Sequence, residues 1–70
     1  MDEIEVQING VRESVVSGTT VASILETKSV RQEMVAVEIN GELIQKGKYS
    51  TLALRSGDEM EFLHYMAGGA

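Results

Sequence analysis

The sequence predicts an α+β domain in which one short helix packs on a mixed sheet of four to five strands. Three observations carry this expectation. Apolar residues recur at every second position in several short segments, the period of a half-buried strand. Asn9-Gly10 and Asn40-Gly41 stand between such segments, and both residue types tolerate the positive φ of a tight hairpin turn. A single stretch, beginning at Thr20, switches to helical spacing.

The elements follow in order. Ile4, Val6 and Ile8 alternate with Glu5 and Gln7, so the first strand has one apolar face. Asn9-Gly10 turns the chain, and Val11 to Val16 form the return strand. Ser17-Gly18-Thr19 breaks the pattern. Thr20 is placed to cap a helix whose inward face carries Val21, Ile24 and Leu25. Lys28 suits the negative pole of that helix, which is expected to stop around Ser29. After a polar link, Val35, Val37 and Ile39 alternate again, Asn40-Gly41 turns, and Glu42, Leu43 and Ile44 make a brief edge strand. Gln45 to Leu54 is irregular, with Tyr49 and Leu52 as anchors over the core. Ser56-Gly57-Asp58 is a turn into the last strand, where Met60, Phe62 and His64 alternate with Glu61, Leu63 and Tyr65. With Met60 and Phe62 facing inward, Phe62 is expected to be a core anchor, and Leu63 and Tyr65 to lie on the outer sheet surface.

Composition narrows the function. A chain of 70 residues is near the size at which a core becomes marginal, since it buries only about 60% of its unfolded surface. Its 43% hydrophobic content suffices for one two-layer core and leaves no room for a deep active-site cavity. With 11 acidic against 6 basic residues the net charge is −5, which disfavours nucleic acid and anionic membrane and favours a basic protein partner. Asp58, Glu59 and Glu61 are candidates to meet that partner, or else a solvated turn, and Lys46 and Lys48 are expected to be exposed. The absence of cysteine excludes disulfides and thiolate metal sites. His64 is the only histidine and reads as a plain strand residue, so no metal site is expected. No segment resembles a phosphate-cradling loop or a catalytic triad, so neither intrinsic catalysis nor a bound cofactor is expected. No apolar run reaches the roughly 20 residues of a spanning helix, and Met1-Asp2-Glu3 is unlike a secretory signal. A cytoplasmic protein is expected.

The segment Ala67-Gly68-Gly69-Ala70 is unusual. Glycine is the residue hardest to order, so paired glycines finish a fold badly. They suit a segment that must be threaded into another protein. Residues 1–66 are therefore read as the domain and 67–70 as a flexible diglycine tail. Leu63, Tyr65, Met66 and Ala67, which lead into it, form the candidate docking patch.

From end to end the chain resembles a ubiquitin-like sulfur carrier of the ThiS type. Asn9-Gly10 resembles that family's opening turn. Gly18-Thr19-Thr20-Val21 with Ile24-Leu25 is similar to its G-x-T-V-x-x-L-L helix start. Val37-Glu38-Ile39-Asn40-Gly41-Glu42 resembles its central hairpin, and Gly57-Asp58 with Glu61 its turn into the last strand. Ala67-Gly68-Gly69 matches its tail. Each motif alone is generic; their order and spacing are together specific.

The resemblance implies a β-grasp (ubiquitin-like) fold, with the last strand inserted between earlier ones and parallel to the first. It also implies the chemistry. The carboxylate of Gly69, with Gly68 beside it, would be adenylated with ATP by a separate ThiF/MoeB-like adenylyltransferase. Sulfur would then replace the adenylate to give a thiocarboxylate. The carrier is a co-substrate and not an enzyme. Ala70 departs from the pattern, because it places the carboxylate one residue too far. Some similar carriers end in an extra residue that a metal-dependent peptidase removes, and several of these supply sulfur to homocysteine or cysteine.

The leading expectation is sulfur donation to thiazole formation in thiamine biosynthesis, with thiazole synthase or another sulfur-accepting enzyme as partner. Donation to homocysteine or cysteine, after removal of Ala70, is the alternative within the class. A molybdopterin-synthase small subunit is a further alternative, although that branch usually carries prolines shortly before the diglycine and this chain has none. From another class comes a non-reactive ubiquitin-like interaction module. Intact mass separates these classes, since only a carrier becomes activated at Gly69.

Overall fold

Among the described residues five strands form one sheet, and a single α-helix covers one of its faces. In chain order they are β1 (Glu3–Ile8), β2 (Val11–Val16), the helix α1 (Val21–Thr27), β3 (Val35–Ile39), β4 (Glu42–Ile44) and β5 (Glu59–His64). Short 3-10 helices at Gln32–Met34 and Lys46–Lys48 occupy segments expected to be irregular. The computed structural model describes residues 2–65; the expected tail at residues 67–70, and Met66 before it, lie outside the described residues.

The strand order is β2-β1-β5-β3-β4. The last strand thus sits in the middle of the sheet, parallel to β1 and antiparallel to β3. This is the β-grasp order expected from the sequence. Both Asn-Gly turns take the mirror-image geometry that suits a twisted hairpin, with φ of 51° and 83° at Asn9 and Gly10 and 54° and 83° at Asn40 and Gly41. The two asparagines also clamp the inserted strand. Asn9 Oδ1 accepts from the Phe62 amide at 3.0 Å, and Asn40 Oδ1 accepts from the Glu59 amide at 3.0 Å. Asn40 Nδ2 donates to Asp58 Oδ1 at 3.0 Å, tying the second hairpin to the turn that launches β5.

The helix is capped at both ends, which matters because seven residues are too few to be stable alone. Thr20 caps as expected, its hydroxyl accepting from the Ser23 amide. The amides of Val21 and Ala22 donate to Leu52 and Tyr49 carbonyls at 3.0 and 2.8 Å. The irregular segment before β5 is therefore held where it is by the unpaired N–H groups of the helix start. At the other end Ser29 takes φ 60°, the Val30 amide donates to Leu25 O and the Ser29 amide to Glu26 O. That is a Schellman stop with serine in the position usually held by glycine. Lys28 serves differently from the expectation. It follows the helix, and its ammonium reaches Glu13 on β2 at 2.8 Å instead of the last carbonyls.

The core lies between α1 and the sheet and comprises Val6, Ile8, Val21, Ile24, Leu25, Val35, Val37, Ile39, Tyr49, Leu54 and Met60. Tyr49 is an anchor as expected, whereas Leu52 is half-buried and Leu54 is the second buried residue of that segment. Phe62 corrects the sequence reading: it is half-buried and packs on the margin of the core. The reason is register. Pairing of β1 with β5 ends at Ile8 opposite Met60, so Met60 has a strand on each side and is fully buried. Beyond it, β5 is flanked by β3 alone, and Phe62 has a strand, at Val37, on only one side.

Candidate functional site: the carboxyl end of the central strand

The site is built by that overhang. Because β5 runs past the end of β1, its last residues leave the sheet with one open flank. Alternation then puts Leu63 on the face away from the helix, directly opposite Ala36 of β3. Leu43 of β4 stands on the same face, opposite Glu38. Leu63 and Leu43 are 61% and 66% exposed, more than core-forming strands would leave open, and Tyr65 just beyond the strand is 50% exposed. Of the sequence-predicted docking residues, Leu63 is exposed on β5 and Tyr65 is exposed just beyond it. Met66, Ala67, Gly68, Gly69 and Ala70 lie outside the described residues.

This apolar strip is bordered by carboxylates. Glu38 and Glu61 are cross-strand neighbours on the outer face. Like charges directly opposite in a sheet are unfavourable. Among the described residues, the ion pairs are Arg12 with Glu5 and Lys28 with Glu13, so neither Glu38 nor Glu61 is neutralised by a neighbouring cation. Glu59 extends the acidic border along the same strand face. Asp58 is engaged otherwise: Oδ1 accepts from Asn40 and Oδ2 from the Arg55 amide at 2.8 Å, so it is a turn-building residue.

His64 is exposed at the end of β5, with its ring edge-on to Phe62 at 6.2 Å. It is a strand residue, as the sequence suggests. Among the described residues no group of three or more His, Cys, Asp or Glu side chains is placed to hold a metal ion. A groove lined by Ile39, Asn40, Glu42, Leu52, Arg55 and Asp58 is open to solvent. No helix of the described residues is long and apolar enough to cross a membrane.

Sequence reasoning missed Lys46. The residue is exposed overall, as expected, but its ammonium is not free. It donates to the carbonyls of Gln32 and Val35 at 2.8 and 2.7 Å, and it lies 5.7 and 5.1 Å from the ring centres of Tyr49 and Tyr65. No sequence signal marks this, because two partners are main-chain carbonyls and the rings come from separate segments.

Comparison with known proteins identifies the architecture. The model of the ThiS family matches residues 6–69. The crystal structure of a thiamine biosynthesis protein (ThiS) from Geobacter metallireducens superposes with a TM-score of 0.80 at 32% identity, covering 94% of this chain and all of that one. A solution structure of a thiamine biosynthesis protein from the same organism gives 0.73 at 30% identity, over 96% of this chain and 90% of that one. Proteins named thiazole synthase from Magnetococcus marinus and Paramagnetospirillum magneticum are 30% and 33% identical over 66 and 63 residues, which are 94% and 90% of this chain. The chain spans only about a fifth of the length of these curated relatives, 20% and 19%. With the family model matched almost throughout and the β-grasp strand order in place, the chain belongs to the ThiS family.

Proposed function

We propose that this carrier is activated at Gly69 and delivers sulfur to thiazole formation. The observation that supports the reading most directly is the central β5, which exposes Leu63, with Tyr65 exposed just beyond it and Met66 alone between Tyr65 and Ala67-Gly68-Gly69. A carboxylate is a poor electrophile. A ThiF/MoeB-like adenylyltransferase would join the Gly69 carboxylate to the α-phosphate of ATP, releasing pyrophosphate, and a sulfide-level sulfur nucleophile would then attack the acyl carbon, the C–S bond forming as the C–O bond to AMP breaks, to leave a thiocarboxylate. The partner supplies the catalytic groups and the nucleotide site. This chain supplies a narrow, side-chain-free tail and a surface to hold it in register.

Thiazole synthase is the proposed acceptor. In the two relatives bearing that name, a region similar to nearly this whole chain forms part of a much longer polypeptide. Two functions carried on one polypeptide there are the natural partners of each other when carried on two. The same names favour thiazole formation over the homocysteine or cysteine route suggested by Ala70.

Ala70 sets the test. In the 70-residue chain the free carboxylate belongs to alanine. The chain ending at Gly69 is expected to form the acyl-adenylate with its cognate adenylyltransferase and ATP, and the 70-residue chain to stay inert until a metal-dependent peptidase removes Ala70. Pyrophosphate release and intact mass on both forms decide it. Equal activation of the two would show that Ala70 is no block. Activation of neither by a demonstrably active enzyme would favour a non-reactive ubiquitin-like interaction module.

The acidic border of the docking strip yields a second expectation. Glu61→Gln removes the repulsion with Glu38, so it should raise the stability of the free domain by about 0.2–1 kcal/mol. If Glu61 meets a basic partner surface, the same change should weaken adenylyltransferase binding. Urea denaturation and a binding titration, run on the same sample, check both signs. Lower stability would overturn the repulsion with Glu38, and unchanged binding would remove Glu61 from the docking surface.

A further inference from the structure

We propose that Lys46 is a positioning residue that holds the ring of Tyr65, the residue from which the segment bearing Gly68-Gly69 continues. The inference rests on the carrier reading for its purpose, though not for its geometry. The Lys46 ammonium donates to two carbonyls, Gln32 O at 2.8 Å and Val35 O at 2.7 Å. These belong to the 3-10 helix before β3 and to the first residue of β3, which pairs with His64 at the end of β5. The ring centre of Tyr49, 1% exposed and part of the core, is 5.7 Å from the ammonium. That of Tyr65, which is half exposed, is at 5.1 Å. Both rings are within the distance at which a cation is attracted to an aromatic face.

A lysine at the surface ordinarily leaves its ammonium in water. Here a cation that ion-pairs with no carboxylate among the described residues gives up part of its hydration for two carbonyls and two rings. The arrangement connects the core to the root of the tail. The Tyr65 amide supplies the second tie, donating to Met34 O at 2.9 Å and continuing the β3–β5 ladder one step past the strand. Beyond Tyr65 only Met66 and Ala67 precede the diglycine. Holding Tyr65 therefore fixes the residue from which the reacting segment continues, and a start that is already in place leaves less to be ordered when a partner binds.

The alternative role is purely structural, with Lys46 serving only to satisfy the carbonyls of Gln32 and Val35. A double-mutant cycle on the 70-residue chain separates the two. Amide hydrogen exchange is followed at Tyr65 and at Met60 in Lys46→Met, Lys46→Arg, Tyr65→Leu and the combination of Lys46→Met with Tyr65→Leu. Lys46→Met should speed exchange at residue 65 by about 2- to 5-fold, the scale of an exposed cation–aromatic contact. Protection at Met60 should be unchanged, Lys46→Arg should restore the original rate, and Tyr65→Leu should remove most of the response to Lys46→Met. An effect of Lys46→Met that is the same in the Tyr65→Leu background, that appears equally at Met60, or that is absent would overturn the proposal.

A functional arm uses the chain ending at Gly69 with the adenylyltransferase. Lys46→Met should raise KM for the carrier by a similar factor with kcat unchanged, and a fall in kcat alone would count against positioning. If the unaltered trimmed chain is not activated at all, it is the carrier reading that fails, and the exchange experiment still decides the role of Lys46.

Discussion

Leu25→Ala is expected to cost about 3–5 kcal/mol, a large fraction of the stability of a domain this small. Leu25 is 0% exposed at the centre of the interface between α1 and the sheet. Its truncation leaves a cavity that the surroundings cannot readily close, because both ends of the helix are fixed. The Thr20 cap and the Leu52 and Tyr49 carbonyls hold the start, and the Leu25 carbonyl itself receives the Val30 amide at the stop. Urea denaturation should show a greatly lowered midpoint, with a fraction unfolded even without denaturant. Phe62→Ala should cost clearly less, since Phe62 lies at the margin of the core. Equal losses at the two sites would mean that β5 is seated more deeply against β1 than the observed register allows.

The second large effect concerns function alone. In the chain ending at Gly69, Gly69→Val should reduce acyl-adenylate formation by about 100-fold or more, because misplacing the reacting carboxylate by an ångström is enough for such a loss. A branched side chain at that position also stiffens the backbone and widens the strand that must enter the partner. The melting curve should not move, since the core cluster among the described residues is drawn from Val6 to Met60, all earlier in the chain than the diglycine. The measurement is pyrophosphate release beside a thermal melt on the same preparation. Retained activation would sink the assignment of Gly69 as the reacting residue, and a shifted melt would show that the tail contributes to the fold.

The sequence by itself determines the elements and their faces. Alternation at Ile4-Val6-Ile8 and Val35-Val37-Ile39, two Asn-Gly turns and the capped run Thr20-Val21-Ile24-Leu25 are local signals, each read within a few residues. They gave strand, hairpin and helix positions that agree with the structure, and the ordered motifs with Ala67-Gly68-Gly69 identified the family. What depended on long-range pairing was not legible. The burial of a strand residue is set by its neighbours on both sides, so that of Phe62 depends on β1 ending at Ile8, opposite Met60. The opposition of Glu38 and Glu61 is a matter of register between strands 23 positions apart in the chain, and alternation within either strand is silent about it. Lys46 is the clearest case. Its sequence neighbours Gln45, Gly47 and Lys48 mark it as a solvated loop cation, and nothing local distinguishes it from Lys48. Only the folded chain brings the carbonyls of Gln32 and Val35 and the rings of Tyr49 and Tyr65 around one ammonium, because main-chain acceptors and aromatic faces become available where the tertiary fold, not the residue type, leaves them pointing.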